Sequence, residues 1–212
     1  MSNAFLDIAA TPAVKAQQSA HGSRQAYARL EGGDPKNTRL DAAEEAFIAA
    51  RDSFYMATVS ASGWPYVQHR GGPAGFLRVL DERTLAFADY SGNKQYISLG
   101  NLAGDGRAAL ILVDYPARRR LKLFVRMKAR DLAADSVLAD AVATPGYRAR
   151  PERAFVLHVE AFDWNCPQHI TPRFTEAEIA AATAPLVARL EALEAENARL
   201  RANRAEDDER NP

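Results

Sequence analysis

Three polar clusters combine residue types suited to a ligand with a phosphate and a planar ring. The first is QHRGGPAG, which sets Gln68, His69 and Arg70 directly before a glycine-rich bend. Arginine offers a rigid fork of donors that fits a phosphate. Glycines let a backbone approach a ligand closely. The second is ADYSGNKQYISLGNL, where Asp89, Tyr90, Ser91 and Asn93 supply short polar side chains and Lys94 stands where a helix is expected to begin. A helix start presents free N–H groups and partial positive charge, and a lysine there adds a full charge. The third is WNCPQHITPRF. Its Trp164 could stack on a ring, and Gln168 and His169 could hydrogen-bond ring heteroatoms. Cys166 reads as a nucleophile or, as the better-supported reading, a buried, inert thiol. The first two clusters also have plain structural readings, a hairpin corner and a capped loop. The run Arg118–Arg120 with Lys122 reads as a solvated turn entering an amphipathic strand.

Common nucleotide and hydrolase signatures are missing. The chain contains no G-x-x-x-x-G-K-[ST], no G-x-G-x-x-G between a strand and a helix, no G-x-S-x-G and no H-E-x-x-H. Its four histidines and one cysteine have no zinc-ligand spacing, so no metal is expected.

The elements that would position these clusters are mostly strands. FYMATVS (54–60) and WPYVQHR (64–70) flank a turn at Gly63, and Pro65 belongs at a strand start or edge. FLRVL (76–80) and TLAFADY (84–90) form a second hairpin, QYISLGNL (95–102) a helix, and AALILVDY (108–115) an apolar strand. Between Leu121 and Arg130 the side chains alternate. Leu121, Leu123, Val125, Met127 and Ala129 form a buried row. Lys122, Phe124, Arg126, Lys128 and Arg130 form a row that is solvated or faces an anion. Residues 153–164 make one more strand. Six or seven strands joined by short turns predict a barrel or sandwich, and strands do not alternate with helices as a doubly wound sheet requires.

Ahead of the strands, residues 1–20 read as weakly ordered and residues 23–30 as a short helix. Asp41 and Glu44 form a capping box for a helix over residues 42–52, with Ala43, Ala46, Phe47 and Ala50 as its apolar face.

Composition is that of an ordinary globular chain. A protein of 212 residues buries about 70% of its unfolded surface and needs no disulfide or structural metal. The net charge is zero, so no global attraction to nucleic acid or anionic membrane is expected. A single cysteine and the absence of a secretory pattern fit the cytoplasm. No stretch approaches the roughly 20 apolar residues of a membrane span.

The C-terminal region has a separate logic. Thr175 and Glu178 form a capping box, and Pro185 either kinks the helix or opens a second one. Leu186, Leu193 and Leu200 fall at heptad position d; Leu190 and Asn197 fall at a. Arg189 and Glu196 are at g; Glu194 and Arg201 are at e. This is coiled-coil spacing, with an asparagine of the kind that fixes register in two-stranded parallel coils. The other reading is an amphipathic helix packed on its own barrel.

The ordered segments FYMATVSASGWPYVQHR, TLAFADYSGNKQYISLGNL and RRRLKLFVRMKA resemble the pyridoxamine-phosphate-oxidase-like family of FMN-binding split barrels, in an uncharacterised branch. The match runs from about Phe47 to Arg130. The resemblance implies a mainly β fold with flanking helices, built as a split β-barrel with the C-terminal coiled-coil-like helix appended. Residues 1–40 form an arm, 41–174 the FMN-binding domain and 175–212 the helix with a frayed tail. It also implies a homodimer with FMN at its interface. Gln68 and Arg70 then face the cofactor with His69 beside them, and Asp89, Tyr90, Ser91, Asn93 and Lys94 lie on the phosphate side. Arg120 falls beside a family position that approaches the flavin ring. Trp164, Gln168 and His169 come from the partner subunit. No catalytic acid or base is implied. Val125 stands where family members often have glycine, which would narrow the site or alter a bulge. The R-L-H-D-R-type ending of the true oxidases is absent, so pyridoxine phosphate is not the expected substrate. The expected function is an FMN-dependent oxidoreductase. The alternatives are a non-catalytic flavin or haem binder, with His69 or His169 as axial ligand, and a pure interaction protein.

Overall fold

The computed structural model describes residues 2–164 and 167–210. The chain divides into two compact units, Met1–Ile170 and Thr171–Pro212.

The first unit opens with an arm that is built of regular elements, in place of the weak order expected for residues 1–20. β1 (Ser2–Asn3) pairs in parallel with β2 (Pro35–Lys36), and between them run α1 (Ala4–Ala9), α2 (Pro12–Ala20) and α3 (Arg24–Ala28). Local signals start the first two helices. The Asn3 side chain accepts from the N–H groups of Phe5 and Leu6, and Thr11 caps α2 ahead of Pro12 at the first turn. The arm is held by packing: Phe5 stacks on Phe124 with ring centroids 4.3 Å apart. The outward row of the alternating strand is therefore partly covered by the arm.

α4 (Ala42–Ala49) begins with the expected capping box at Asp41 and Glu44. It is three residues shorter than expected, and its buried face is Glu44, Phe47 and Ile48 in place of the alanine stripe, with Ala43, Ala46 and Ala50 exposed. Glu44 is buried because both of its oxygens are used. One accepts the Asp41 N–H at 3.0 Å and the other the Trp164 indole N–H at 2.6 Å.

The sheet follows: β3 (Ser53–Val59), β4 (Pro65–Gly71), β5 (Arg78–Asp81), β6 (Thr84–Tyr90), α5 (Ile97–Leu102), β7 (Arg107–Asp114), β8 (Arg119–Arg130), α6 (Ser136–Val142) and β9 (Pro151–Trp164). All seven strands are antiparallel, in the order β4-β3-β7-β8-β9-β6-β5. Gly63 turns the β3–β4 hairpin at φ +85°, a conformation that favours glycine. At the bend after β4, a Cβ on Gly72 would lie 2.8 Å from the Phe76 ring. The bend sends Phe76 and Leu77 into the core before β5 begins, two residues later than expected.

The sheet curls. β3 and β6 are four places apart, about 19 Å in a flat sheet. Yet the rings of Phe54 on β3 and Phe87 on β6 are 5.3 Å apart. The inward rows of β3, β6, β7, β8 and β9 meet in one core that includes Phe54, Met56, Phe87, Leu121, Leu123, Met127, Phe155 and Leu157. The expected inward row of β8 holds from Leu121 to Met127, while Ala129 is exposed at its end. Val125 sits beside a register shift against β9, with its side chain 2% exposed in the core. Outside the curl, α6 covers Ala86, Ala88 and Ala154.

The second unit is α7 (Glu176–Arg210), a single helix with Pro185 inside it, so the proline does not open a second helix. Among the described residues, no helix is long and apolar enough to cross a membrane.

The Glu44–Trp164 contact ties the first helix of the sheet region to the end of its last strand. Glu44→Ala leaves a half-buried indole N–H without an acceptor and removes part of the cap. It should lower stability by about 2–3 kcal/mol. Urea unfolding reads this directly, and a loss below about 0.5 kcal/mol would show the contact to be incidental.

Candidate functional site

The two edges of the curled sheet, β4 and β5, are not paired with each other. Side chains close the gap instead. Asp89, near the end of β6, is 8% exposed. It accepts from Arg70 of β4 at 2.7 Å through one oxygen and from Arg153 of β9 at 2.7 Å through the other. Arg153 is the cross-strand partner of Asp89 and also donates to Glu152 at 3.0 Å. Burial works against the Arg153 charge, but the Asp89 hydrogen bond and the charges of Asp89 and Glu152 hold its pKa above the usual arginine value. The Arg70 guanidinium also lies 5.5 Å from the Phe155 ring centroid.

α5 seats in the mouth beside this clamp. Ser98, 2% exposed, donates to the Gln68 side chain at 3.2 Å, and Asn101 donates to the Thr58 hydroxyl at 2.9 Å. The loop into α5 is unusual. Lys94 and Tyr96 both adopt left-handed backbone conformations, at φ +58° and +52°. Non-glycine residues there carry a conformational cost and cluster at ligand sites. The loop is supported at each end. The Asn93 side chain accepts the Gln95 N–H at 3.2 Å, and the Tyr96 ring lies under Arg153 at 5.2 Å.

Between these parts lies a cleft of about 180 Å³. Of the residues singled out in the sequence, Gln68, Arg70, Asp89, Tyr90, Asn93 and Lys94 line it. Tyr66, Tyr96, Ser98 and Glu152 line it too and were missed. The first three of these carry hydroxyls that can donate to a ligand.

The other expected residues are elsewhere. His69 points to the opposite face of β4, where it meets Tyr55 edge-on at 5.4 Å. Ser91 is exposed and donates its N–H to the Arg150 carbonyl. Lys94 does not start the helix; Tyr96 occupies the cap position and α5 begins at Ile97. Arg120, on β8, pairs across from Val113 of β7 and does not line the cleft. The Trp164 ring is engaged in its own subunit, edge-on to Phe47 at 4.7 Å and beneath Arg119 at 4.5 Å. Gln168 and His169 are exposed in a turn. Cys166 lies outside the described residues. Among the described residues, no group of three His, Cys, Asp or Glu side chains is placed to hold a metal ion.

The donor set suits a phosphate ester and its hydroxyl-rich neighbour. Lys94 presents an exposed ammonium, and the Arg70 Nε–H is buried with no acceptor. Asp89 would repel an anion were it free, but two guanidiniums neutralise it.

The family model described as pyridoxamine 5'-phosphate oxidase matches residues 40–162, more than half of the chain. Among solved structures, the chain is similar to a candidate pyridoxamine 5'-phosphate oxidase from Lactobacillus delbrueckii, with 23% identity over 60% of this chain and 96% of that one, at a TM-score of 0.45. HupZ of Group A Streptococcus matches with 16% identity over 64% of this chain and 99% of that one, also at 0.45. An FMN-binding protein from Syntrophomonas wolfei matches with 14% identity over 62% and 85%, at 0.43. No curated protein matches the sequence.

Asp89→Asn tests the clamp. It removes the charge between two half-buried guanidiniums and should cost about 2–4 kcal/mol in urea unfolding, near the lower end of values for broken buried pairs because the mouth is partly solvated. Unchanged stability would mean that the curled sheet holds its seam without this carboxylate.

Proposed function

The chain belongs to the pyridoxamine 5'-phosphate oxidase family, and from that premise we propose that it is an FMN-binding oxidoreductase whose cleft between β4, β6 and α5 takes the phosphate end of the cofactor. The carrying observation is the cleft itself. It gathers Lys94, Arg70, Ser98, Asn93 and three tyrosines around one small volume, beside a loop held in a costly backbone conformation. When bound, the flavin supplies hydride or electron transfer.

The chain's own residues bind and orient. Lys94 supplies a full positive charge to the phosphate, more freely than Arg70, one of whose Nη atoms is committed to Asp89. Gln68 and Ser98, already hydrogen-bonded to each other, offer a polar wall for hydroxyl groups. The cleft volume is below the roughly 300–1,000 Å³ of sites that enclose a drug-sized ligand. One subunit therefore covers only part of a flavin nucleotide, which supports a homodimer in which a second copy covers the rest. Trp164, Gln168 and His169 are assigned no cofactor contact within their own subunit. The haem alternative has less behind it, because among the described residues no histidine lines this cleft.

The visible spectrum of the freshly purified protein, with chromatography of any released chromophore, tests the reading. Flavin absorption and released FMN are expected. A colourless protein that takes up no added FMN would remove it, and a Soret band or a deazaflavin would replace it. Lys94→Ala should weaken FMN binding at least tenfold, the scale of one charge-assisted contact. Equal affinity in a flavin-fluorescence titration would take the phosphate away from Lys94.

A further inference from the structure

The second unit carries an exposed apolar stripe. Every described side chain from residue 171 to 204 is exposed. Along α7, Ile179, Leu186, Leu193 and Leu200 recur every seven residues, and Leu190 falls between them; these five are 43–71% exposed. An isolated helix draws most of its stability from burying such a stripe. A stripe with this period winds against a second helix of the same kind.

The details select the partner. One concavity on the helix face is lined by Leu190, Leu193, Glu194, Asn197, Ala198 and Arg201, and it includes the four residues Leu190, Leu193, Glu194 and Asn197. These are positions a, d, e and the next a, the four-sided hole that receives a d-position side chain from a facing helix. Among the residues whose side chains are described, no ion pair involves the four charges flanking the seam, Arg189, Glu194, Glu196 and Arg201. In a parallel, in-register pair, Arg189 meets the partner's Glu194, and Glu196 meets the partner's Arg201. Both contacts are attractive, and symmetry doubles each. Asn197 then faces its own copy at an a layer, where a polar pair restricts the assembly to two strands in one register. Pro185 falls at position c, away from the seam, so its missing N–H does not disturb the interface.

We propose that α7 forms a parallel two-stranded coiled coil with α7 of a second copy of this chain, with a seam running from Ile179 to Leu200. The proposal rests on the helix alone and stands or falls separately from the cofactor reading.

Disulfide trapping in the full-length protein, with Cys166→Ser as background, tests it. A disulfide requires Cα atoms within about 7 Å. Leu190→Cys and Asn197→Cys, each made singly, should both give cross-linked dimers under mild oxidation, several-fold above Ala195→Cys at the outward f position. Trapping at only one seam position means an antiparallel pair and overturns the parallel register. Trapping equal to the Ala195→Cys control, or none, overturns the coil. Glu194→Arg should reduce trapping at position 197, and adding Arg189→Glu should restore it. Failure to restore removes the charge pairing on which the register rests. These residues are solvent-exposed, and the far-ultraviolet circular dichroism of each variant checks that the sheet unit remains folded.

Discussion

The link from Arg70 through Asp89 to Arg153 is the constraint on which the first unit depends. A seven-stranded antiparallel sheet that curls but does not close has two exposed edges, and such edges invite pairing with other chains. Here β4 and β6, five places apart, are joined at 2.7 Å by one carboxylate and two guanidiniums. A flat sheet would hold them about 24 Å apart. The link is directional in a way that hydrophobic closure is not. Each Asp89 oxygen takes one arginine, so the spacing of the strands at the mouth is fixed as well as their proximity. The gap left without a backbone ladder is the cleft. The chain thus places its candidate site where the fold itself is incomplete.

What lies behind the clamp is apolar and tightly packed; what lies outside it is covered piecemeal. Phe54, Phe76, Phe87 and Phe155 form a linked set of ring contacts beneath the mouth. Outside, the arm packs Phe5 over Phe124, α6 covers an alanine-rich patch, and Glu44 holds Trp164 against α4. Each cover joins segments distant in sequence, and two of them contain a residue that breaks its local pattern. Phe124 is the apolar member of an otherwise basic row. Glu44 is a carboxylate on a buried helix face.

Those exceptions show what could be read in advance. The strands were legible because period-two alternation is a local property, and so were the capping boxes at Asp41 and Thr175. The same period separates His69 from Gln68 and Arg70, so its position on the far face was available from the spacing. Phe124 was a local sign that something covers β8, though not that residues 2–9 do. Tyr66, Ser98 and Glu152 were not legible. They join the cleft only because the sheet curls and α5 folds into its mouth, and no spacing in the sequence encodes that closure. Lys94 was displaced from the helix start by two things the sequence does not announce: the Asn93–Gln95 turn and the left-handed conformation of Tyr96.

The clamp also changes how charge should be assigned at the mouth. Read from sequence, Arg70 is a free cation waiting for a phosphate. In the fold it shares Asp89 with Arg153, and Arg153 in turn spans Asp89 and Glu152. Two cations and two anions balance within this network, leaving the Lys94 charge as the surplus at the cleft. An anion entering there would be attracted chiefly by Lys94 and then oriented by donors whose positions the network has already set. Such pre-organisation lowers the ordering cost of binding. It also couples affinity to stability. A change that loosens the clamp moves Arg70 and the Arg153 guanidinium over Tyr96 together, so the cleft loses its shape as the sheet loses its seam.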